Sequence, residues 1–156
     1  MTDTIADAIS GIYETHLPVS DLSRSIAFYR DILGLQLAHE VPSRGAAFFW
    51  AGAPDRGMLG LWQCGFGPLR MTGHFAFRIG RNALLAAPAM LQAHGIAPLG
   101  FHGEPASEPV VIGWMPALSL YFKDPDGHSL EFVHLLDAPA DPGFGIGTWS
   151  DWRDRG

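Results

Sequence analysis

The stretch Lys123–His134, with the sequence KDPDGHSLEFVH, predicts a β-hairpin around which the rest of the chain can be arranged. Residues 124–127, Asp-Pro-Asp-Gly, are typical of a tight turn, because proline presets φ and glycine accepts a positive φ. The alternating segments on either side, Leu118–Phe122 and Leu130–Val133, predict its two strands. Glu131 then lies in mid-strand between two apolar residues, where a buried carboxylate needs a charged partner or a metal ion. The search for function therefore starts with partners for Glu131.

The composition indicates a globular protein and excludes several classes of partner. The chain has 156 residues, of which 47% are apolar and 17% charged, enough for one domain or two small modules that share a core. The net charge of −6 and the absence of a Lys/Arg cluster disfavour nucleic acid and anionic membranes. No apolar run approaches the ~18 residues of a membrane span. The acidic start resembles no signal peptide and Cys64 is the only cysteine, so we expect a cytoplasmic protein without disulfides.

The first predicted module covers about residues 11–65 and has the order βαβββ. Alternating apolar residues predict its first strand over Gly11–Ser20. An amphipathic helix follows, capped by Ser20 or Asp21 and ended by Gly34. Three short strands complete the module, over Leu35–Val41, Ala46–Trp50 and Met58–Gln63.

The second predicted module covers about residues 72–135 and repeats this order after a linker, Gly65–Pro68. Its first strand is predicted over Gly73–Ile79. Its helix is predicted over Asn82–His94, where Pro88 either kinks the helix or delays its start. The remaining predicted elements are a weak strand over Ile96–Phe101, a Pro-rich segment over Gly103–Pro116 that is long enough to form a lid, and the hairpin.

Two segments flank the modules. Residues 1–10 predict an N-terminal arm and residues 136–156 a C-terminal tail. The tail contains Trp149 and Trp152, and two tryptophans three residues apart usually dock onto another surface. We expect that surface to be this chain's own sheet or a second subunit.

The internal repeat identifies candidate partners for Glu131. His16 and His74 each lie early in the first strand of a module, on the face opposite the helix-packing residues, and we expect them to be equivalent. The turn at Pro54 precedes the turn at Pro125 by 71 residues, so Glu131 matches Gly60. By the same offset Trp50 is expected to match Tyr121. Two imidazoles and one carboxylate suit either an octahedral divalent site with open positions or a three-ligand catalytic zinc.

Three segments resemble the vicinal oxygen chelate superfamily: His16–Gly34 (HLPVSDLSRSIAFYRDILG), Gly73–Phe77 (GHFAF) and Asp124–Phe132 (DPDGHSLEF). That group includes glyoxalase I, extradiol dioxygenases, fosfomycin-resistance enzymes, epimerases and metal-free bleomycin-binding proteins. The resemblance covers about residues 11–135. It implies an α+β fold in which two βαβββ modules form a cupped mixed sheet with helices on the convex face.

The resemblance implies that His16, His74 and Glu131 bind a divalent metal ion, with Fe, Ni, Zn, Mn and Co all open. Glyoxalase I has a fourth protein ligand, a glutamate, at the position of Gly60, so this chain points to a three-ligand site. The fosfomycin enzymes need cationic residues around a phosphonate, and this chain has none in the stretch after Glu131 or in the loop before Tyr121. Related proteins pair their modules within one chain or between chains, and we expect a homodimer.

Together these features predict a metal-dependent enzyme for a small, largely neutral substrate chelated through adjacent oxygens. The reaction is a lyase, isomerase or ring-cleavage dioxygenase type, with Glu131 and Tyr121 catalytic. The alternative is a bleomycin-resistance-type protein that sequesters a small aromatic ligand without catalysis. Arg78 pairs with a substrate carboxylate or with an acidic neighbour at the rim. The predicted substrate-binding residues are Phe48, Trp50, Trp62, Arg78, Ser119 and Tyr121.

The remaining histidines and the cysteine have structural interpretations. We expect His128 to be exposed in the turn and His134 to lie at a surface. His39, His94 and His102 have no partner by spacing, so they are taken as surface residues. Cys64 is expected to be a small buried hydrophobe.

Overall fold

The computed structural model describes residues 11–64 and 72–155, and the predicted arm over 1–10 and linker Gly65–Pro68 lie outside them. The chain forms two compact units, unit 1 over Met1–Arg70 and unit 2 over Met71–Gly156. In its described residues, each unit contains one open mixed sheet with a helix against one face, and the sheet has four strands in unit 1 and five in unit 2. The predicted α+β class is confirmed. Among the described residues, no helix combines the length and the apolar character that a membrane span requires.

Unit 1 has its strands in the order β1-β4-β3-β2, with β1 parallel to β4 and the other pairs antiparallel. Its elements are β1 (Glu14–Val19), α1 (Leu22–Ala27) continued by a π-helical turn (Phe28–Ile32), β2 (Gln36–Val41), a 3-10 turn (Pro42–Arg44), β3 (Ala46–Trp50) and β4 (Met58–Gln63).

The helix of unit 1 begins and ends where its capping residues predict. The Asp21 carboxylate accepts a hydrogen bond from the Arg24 backbone N–H at 3.0 Å, which satisfies one free donor at the helix start. Gly34 follows the helix with φ +70°, a conformation that glycine adopts without strain. The helix buries Ile26 and Tyr29 on the side that packs against the sheet.

Strand alternation divides the sheet of unit 1 into two faces. Leu17, Leu59, Leu61 and Phe49 point to one face and are buried. The opposite face carries residues one position away in each strand, which are mostly half-buried or exposed. The helix-covered face therefore forms the core, and the other face is available for function.

Unit 2 has its strands in the order β5-β8-β7-β6-β9, with β5 parallel to β8. Its elements are β5 (His74–Arg78), α2 (Arg81–Ala93), β6 (Val110–Ile112), β7 (Ala117–Lys123), β8 (Ser129–Leu135), a 3-10 turn (Pro142–Phe144), β9 (Ile146–Thr148) and α3 (Trp149–Asp154). Helix α2 starts at Arg81, so the delayed start does not occur, and Pro88 lies inside the helix among its buried residues.

The second strand of unit 2 is not where the sequence predicted it. Ile96–Phe101 forms no strand, and only Leu99 makes isolated bridges there. The strand is β6, Val110–Ile112, which lies inside the predicted lid, Gly103–Pro116. All three of its residues are buried between β7 and β9, so this part of the segment belongs to the sheet and cannot form a lid. This strand is only three residues long, lies in a Pro-rich segment and is buried on both faces, so it lacks the alternating pattern by which strands are recognised in a sequence.

The C-terminal tail docks onto the sheet of its own unit. Strand β9 pairs with β6, and α3 follows with a capping box between Thr148 and Asp151. Trp152 is only 7% exposed, and its ring packs edge-to-face against Phe144 with centroids 4.9 Å apart. Of the two predicted surfaces, the chain's own sheet is the one that the tail contacts.

The hairpin turn is confirmed, but His128 beside it is buried rather than exposed. The Asp124 carboxylate accepts hydrogen bonds from the backbone N–H groups of Asp126 and His128, at 3.0 and 2.8 Å, and Gly127 has φ +87°. The His128 ring is fully buried, and its Nδ1 accepts from the Gly73 N–H at 2.8 Å. The ring thus ties the turn to the start of β5, a contact 55 residues away along the chain that local turn signals do not reveal.

Cys64 corrects a further prediction. The thiol is exposed rather than buried, because Cys64 follows the last residue of β4. Surface positions are confirmed for His39, His94 and His102, which are all exposed.

Candidate functional site

The face of unit 2 away from α2 brings two of the three predicted ligands together. Strand β8 lies between β5 and β7, and its Glu131 is aligned with Ala76 on one side and Tyr121 on the other. Glu131 is only 6% exposed. His74 Nε2 lies 3.4 Å from Glu131 Oε2, and the rings of His74 and Tyr121 have centroids 6.1 Å apart. The in-strand carboxylate and the first-strand imidazole are therefore neighbours, as predicted from the alternation.

The orientation of His74 suits a metal ligand. Its Nδ1 lies 3.0 Å from the Ser129 carbonyl oxygen, which can only accept, so Nδ1 carries the proton. In the neutral ring, Nε2 then presents a lone pair toward the Glu131 carboxylate. Two acceptors facing each other at 3.4 Å repel unless a proton or a cation lies between them. Metal-binding histidines commonly bind the ion through one ring nitrogen and donate the N–H of the other nitrogen to a backbone carbonyl. The arrangement of His74 and Glu131 therefore fits a divalent ion.

Tyr121 lies beside this pair as a neutral phenol. Burial, and then the negative charge of Glu131, raise the pKa of Tyr121 above its ordinary value. A phenol that keeps its proton donates a hydrogen bond rather than acting as a base. Ser119, two residues earlier on the same face of β7, is fully buried. Arg78 is exposed on the same face of β5 as His74.

The corresponding face of unit 1 is aromatic. Phe48 is aligned with Gly60, and Trp50 with Met58, which places their side chains on the face that carries His16. The His16 ring lies 6.0 Å from Phe48 and 5.7 Å from Trp62, measured between centroids. Phe48 and Trp62 therefore lie beside one predicted ligand, His16, and Trp50 lies on the same face of the sheet.

Arg44 is a site residue that the sequence did not indicate. Its guanidinium carbon lies 4.5 Å from the centroid of the Trp62 ring, in a cation–π contact. Arg44 ends the short 3-10 turn before β3, whereas Trp62 lies near the end of β4. No local pattern joins two such residues, because only the pairing of β3 with β4 brings them together.

Strand register corrects the predicted repeat. Glu14 is aligned with Met58 in unit 1, and His74 with Ser129 in unit 2. Because Met58 and Ser129 are equivalent under the 71-residue offset, the counterpart of His74 is Glu14. His16, aligned with Gly60, corresponds instead to Ala76, which is aligned with Glu131. The expected equivalence of His16 and His74 is therefore wrong by two residues, although both lie on the predicted face.

The same correction applies to the aromatic residues. Tyr121 is aligned with Glu131, and its counterpart is Phe48, aligned with Gly60, rather than Trp50. The loop over residues 51–57 is two residues longer than the loop over 124–128, so a single offset cannot apply to both strands of the hairpin.

Glu14 is the second residue that sequence reasoning left largely unused. Its Oε1 lies 2.7 Å from His16 Nε2, with both side chains partly exposed. Glu14 shares the face of His16, and the sequence showed no more than that. No group of three or more metal-ligating side chains is assembled among residues 11–64 and 72–155; the structure pairs His16 with Glu14 in unit 1, and His74 with Glu131 in unit 2.

Comparison with known proteins identifies the family. The sequence profile of the Glyoxalase/Bleomycin resistance protein/Dioxygenase superfamily matches residues 11–132. Both units share the βαβββ order, and β8 carries the expected in-strand carboxylate. The chain belongs to this superfamily.

Solved structures with the same fold include proteins of several kinds. An integron cassette protein, HFX_CASS4, from the mobile metagenome of the Halifax Harbour sewage outfall is 31% identical with a TM-score of 0.70, over 81% of this chain and all of that one. Lactoylglutathione lyase from Agrobacterium tumefaciens is 26% identical with a TM-score of 0.60, over 80% and 93%. The fosfomycin resistance protein FosX from Listeria monocytogenes, 23% identical with a TM-score of 0.59 over 80% and 90%, shows the shared fold alone. No curated protein sequence matches the chain significantly.

Proposed function

We propose that this protein is a divalent-metal-dependent enzyme that acts on a small, largely neutral substrate chelated through adjacent oxygens. The observation that carries the proposal is the His74–Glu131 pair, in which two acceptors face each other at 3.4 Å. We propose His16, His74 and Glu131 as ligands, with Fe, Ni, Zn, Mn or Co as the metal. A bound ion supplies Lewis-acid polarisation of the substrate oxygens.

The chain's own residues orient the substrate and exclude water. The Tyr121 phenol keeps its proton, so it donates a hydrogen bond to a substrate oxygen. The partly buried rings of Phe48, Trp50 and Trp62 offer apolar contact, which suits a small substrate with few charges. Arg78 and Ser119 provide polar contacts on the face of His74. Glu131, almost fully buried, holds its charge toward the His74 ring.

The reaction belongs to the lyase, isomerase or ring-cleavage dioxygenase type. The likeness to lactoylglutathione lyase supports the first of these, because that protein is 26% identical over 80% of this chain. We propose further that the protein is a homodimer, which light scattering of the purified protein tests. We also propose that the protein is located in the cytoplasm. Its single cysteine, Cys64, is exposed, which agrees with a reducing compartment.

Metal analysis of the purified protein tests the proposal. We expect His74→Ala, Glu131→Ala and His16→Ala each to lower metal retention 10-fold or more, because a site with few ligands cannot spare one. His39→Ala, which removes an exposed imidazole from β2, is the matched control and should retain the wild-type content. Full occupancy in the ligand variants, with their circular dichroism unchanged, rejects the assigned ligands.

A binding protein without catalysis is the second candidate. The specific observation in its favour is the aromatic cluster of His16, Phe48 and Trp62 beneath the Arg44 guanidinium, which suits a flat ligand. Metal content separates the two candidates. If the wild-type protein carries less than about a tenth of an equivalent of metal and takes up none when Zn²⁺, Ni²⁺ or Fe²⁺ is added, the binding protein replaces the metal-dependent enzyme as the proposed function, because the proposed ligands then do not bind a metal ion.

A further inference from the structure

Two neighbouring residues at the start of β8 hold the start of β5. The Nδ1 atom of His128 accepts a hydrogen bond from the Gly73 backbone N–H at 2.8 Å. The Ser129 backbone N–H donates to the Gly73 carbonyl oxygen at 2.9 Å, and the Ser129 carbonyl oxygen accepts from His74 Nδ1 at 3.0 Å. Consecutive residues on one side therefore bind consecutive residues on the other.

The His128 ring is itself fixed by the hairpin turn. The ring is fully buried, and the His128 backbone N–H donates to the Asp124 carboxylate at 2.8 Å. The His128 carbonyl oxygen accepts from the Asp124 backbone N–H at 3.2 Å. Because Nδ1 of the ring accepts a hydrogen bond, the neutral ring carries its proton on Nε2. The ring therefore presents a lone pair to the Gly73 N–H from a fixed position.

His74 depends on this support. Its side chain is 50% exposed, and among the described residues β5 pairs only with β8. The bond from His74 Nδ1 to the Ser129 carbonyl keeps the lone pair of Nε2 toward Glu131. A shift of the Gly73 peptide moves the His74 backbone with it, so this bond depends on where Gly73 is held.

Unit 1 shows that a βαβββ unit can form without the ring contact. Met58, the equivalent of Ser129, donates its backbone N–H to the Tyr13 carbonyl oxygen at 2.7 Å, so the backbone bond occurs in both units. The position equivalent to His128 is Gly57, which has no side chain. The ring contact is therefore an addition in the unit whose first strand begins with an imidazole.

We propose that His128 is a positioning residue, whose buried ring fixes the Gly73 peptide and thereby keeps His74 in the Nδ1–H tautomer with Nε2 toward Glu131. This inference rests on the proposed function, in which His74 binds a metal ion through Nε2. His128 acts through Gly73 and is not a ligand. The tautomer of His74 is a property of the metal-free protein, so it can be measured independently of metal binding.

Nuclear magnetic resonance of the metal-free protein, labelled with ¹⁵N at histidine, tests the inference. Long-range proton–nitrogen spectra at about pH 8, where an ordinary imidazole is neutral, distinguish the two tautomers of each ring. The signals of each ring are assigned by their loss when that histidine is substituted. In the wild-type protein we expect the Nδ1–H tautomer at His74 and the Nε2–H tautomer at His128. The opposite tautomer at either residue overturns the inference.

Two substitutions separate the acceptor of His128 from the bulk of its ring. His128→Leu offers no acceptor, so we expect His74 to populate both tautomers and the affinity for Zn²⁺ to fall by about 10-fold. His128→Asn places an amide oxygen near the position of Nδ1, so it should keep the single tautomer and an affinity within about 3-fold of wild type. A single His74 tautomer in His128→Leu, or a mixture in His128→Asn, overturns the inference.

His128→Gln replaces His128→Leu if the leucine variant does not fold. Its amide lies one bond further from the backbone than the amide of asparagine, so it does not reproduce the position of Nδ1, and we expect the same mixture of tautomers at His74. Equal spectra for the glutamine and asparagine variants overturn the inference.

Trp152→Ala is the control for loss of stability alone. Trp152 lies in α3, which contacts β6 and β9 at the edge of the sheet opposite β5, so its removal should leave the His74 tautomer and the affinity for Zn²⁺ unchanged. A mixture of tautomers in this variant assigns the effect to a general loosening of unit 2 and overturns the inference.

The inference and the proposed function fail in different ways. If the wild-type protein binds no metal while the His74 tautomer responds to His128 as expected, the proposed function fails and the positioning role stands. If His74→Ala loses the metal but His128→Leu changes neither the tautomer nor the affinity, the proposed function stands and the positioning role is overturned.

Discussion

Strands β2 and β6 hold the same place in the two units but differ in burial. Each is the second strand of its βαβββ order, and each pairs with the third strand, β3 in unit 1 and β7 in unit 2. All three residues of β6 are buried, whereas no residue of β2 is. The difference follows from the tail, because β9 pairs with the outer edge of β6 and the structure describes no such strand beside β2. An edge strand becomes core when a further strand covers it.

The imidazole–carboxylate pairs of the two units also differ in burial, but only through their carboxylates. The His16 and His74 side chains are both about half exposed, whereas Glu14 is partly exposed and Glu131 is almost fully buried. A buried charge depends on its partners more strongly than an exposed one, since water cannot replace them. The Glu131 carboxylate therefore depends on its partner His74 more strongly than the Glu14 carboxylate depends on His16.

Removing the cover from β6 has the largest expected effect on this comparison. Trp152→Ala leaves a cavity beneath α3 against Phe144, and we expect it to lower the free energy of unfolding by about 3 kcal/mol. Urea denaturation followed by circular dichroism measures the change. Trp114→Ala is the matched control, because Trp114 is 65% exposed, and its effect should stay within about 0.5 kcal/mol. Equal effects of the two substitutions would show that the tail contributes little to unit 2.

The two hairpin turns give a smaller contrast. Asp124 accepts two backbone hydrogen bonds in the turn of unit 2, whereas its counterpart under the 71-residue offset is Ala53, which cannot accept through its side chain. We expect Asp124→Ala to lower the free energy of unfolding by about 2 kcal/mol, because two backbone N–H groups lose their acceptor. Asp55→Ala, at an exposed position of the unit 1 turn, should change it by less than about 0.5 kcal/mol. A comparable loss in both variants would contradict the assigned role of Asp124.

The capping box of α3 gives the smallest effect, which depends on pH. The Thr148 hydroxyl and then its backbone N–H lower the pKa of Asp151 below its ordinary value. A lowered pKa in the folded state stabilises the protein above the unfolded pKa, and that contribution disappears as the pH falls through the folded value. We expect Asp151→Asn to be less stable than wild type at pH 7, with the difference shrinking below about pH 4. Thermal unfolding at pH 7 and pH 3 measures it, and a difference that grows toward low pH would contradict the assignment.

Local chemistry explains which elements the sequence predicted correctly. The bounds of β3 and β4 agree with the predicted strands, and the Asp-Pro-Asp-Gly turn lies where proline and glycine indicate. Asp21 and Gly34 cap the helix of unit 1 as predicted. These signals act over a few residues, so they can be recognised without the fold.

The errors occur where distant segments decide the outcome. The buried ring of His128, the strand Val110–Ile112 and the contact of Arg44 with Trp62 each depend on a partner from another part of its unit. Alternation correctly predicted the faces of His74, Glu131 and the aromatic residues. It could not predict that Glu14 is the counterpart of His74. The number of residues between the first strands of the two units differs from the number between their last strands, so one offset does not relate both.

The sequence by itself determined the family, the two βαβββ units and the face on which each candidate ligand lies, because turn residues, caps and periodicity are local properties of the chain. Only the tertiary structure decided the strand register, the docking of the tail onto β6, and the pairing of His16 with Glu14 above Gly60. Register depends on loop length and on the packing of side chains from segments far apart along the chain. For that reason the equivalence of Glu14 with His74 becomes visible only in three dimensions.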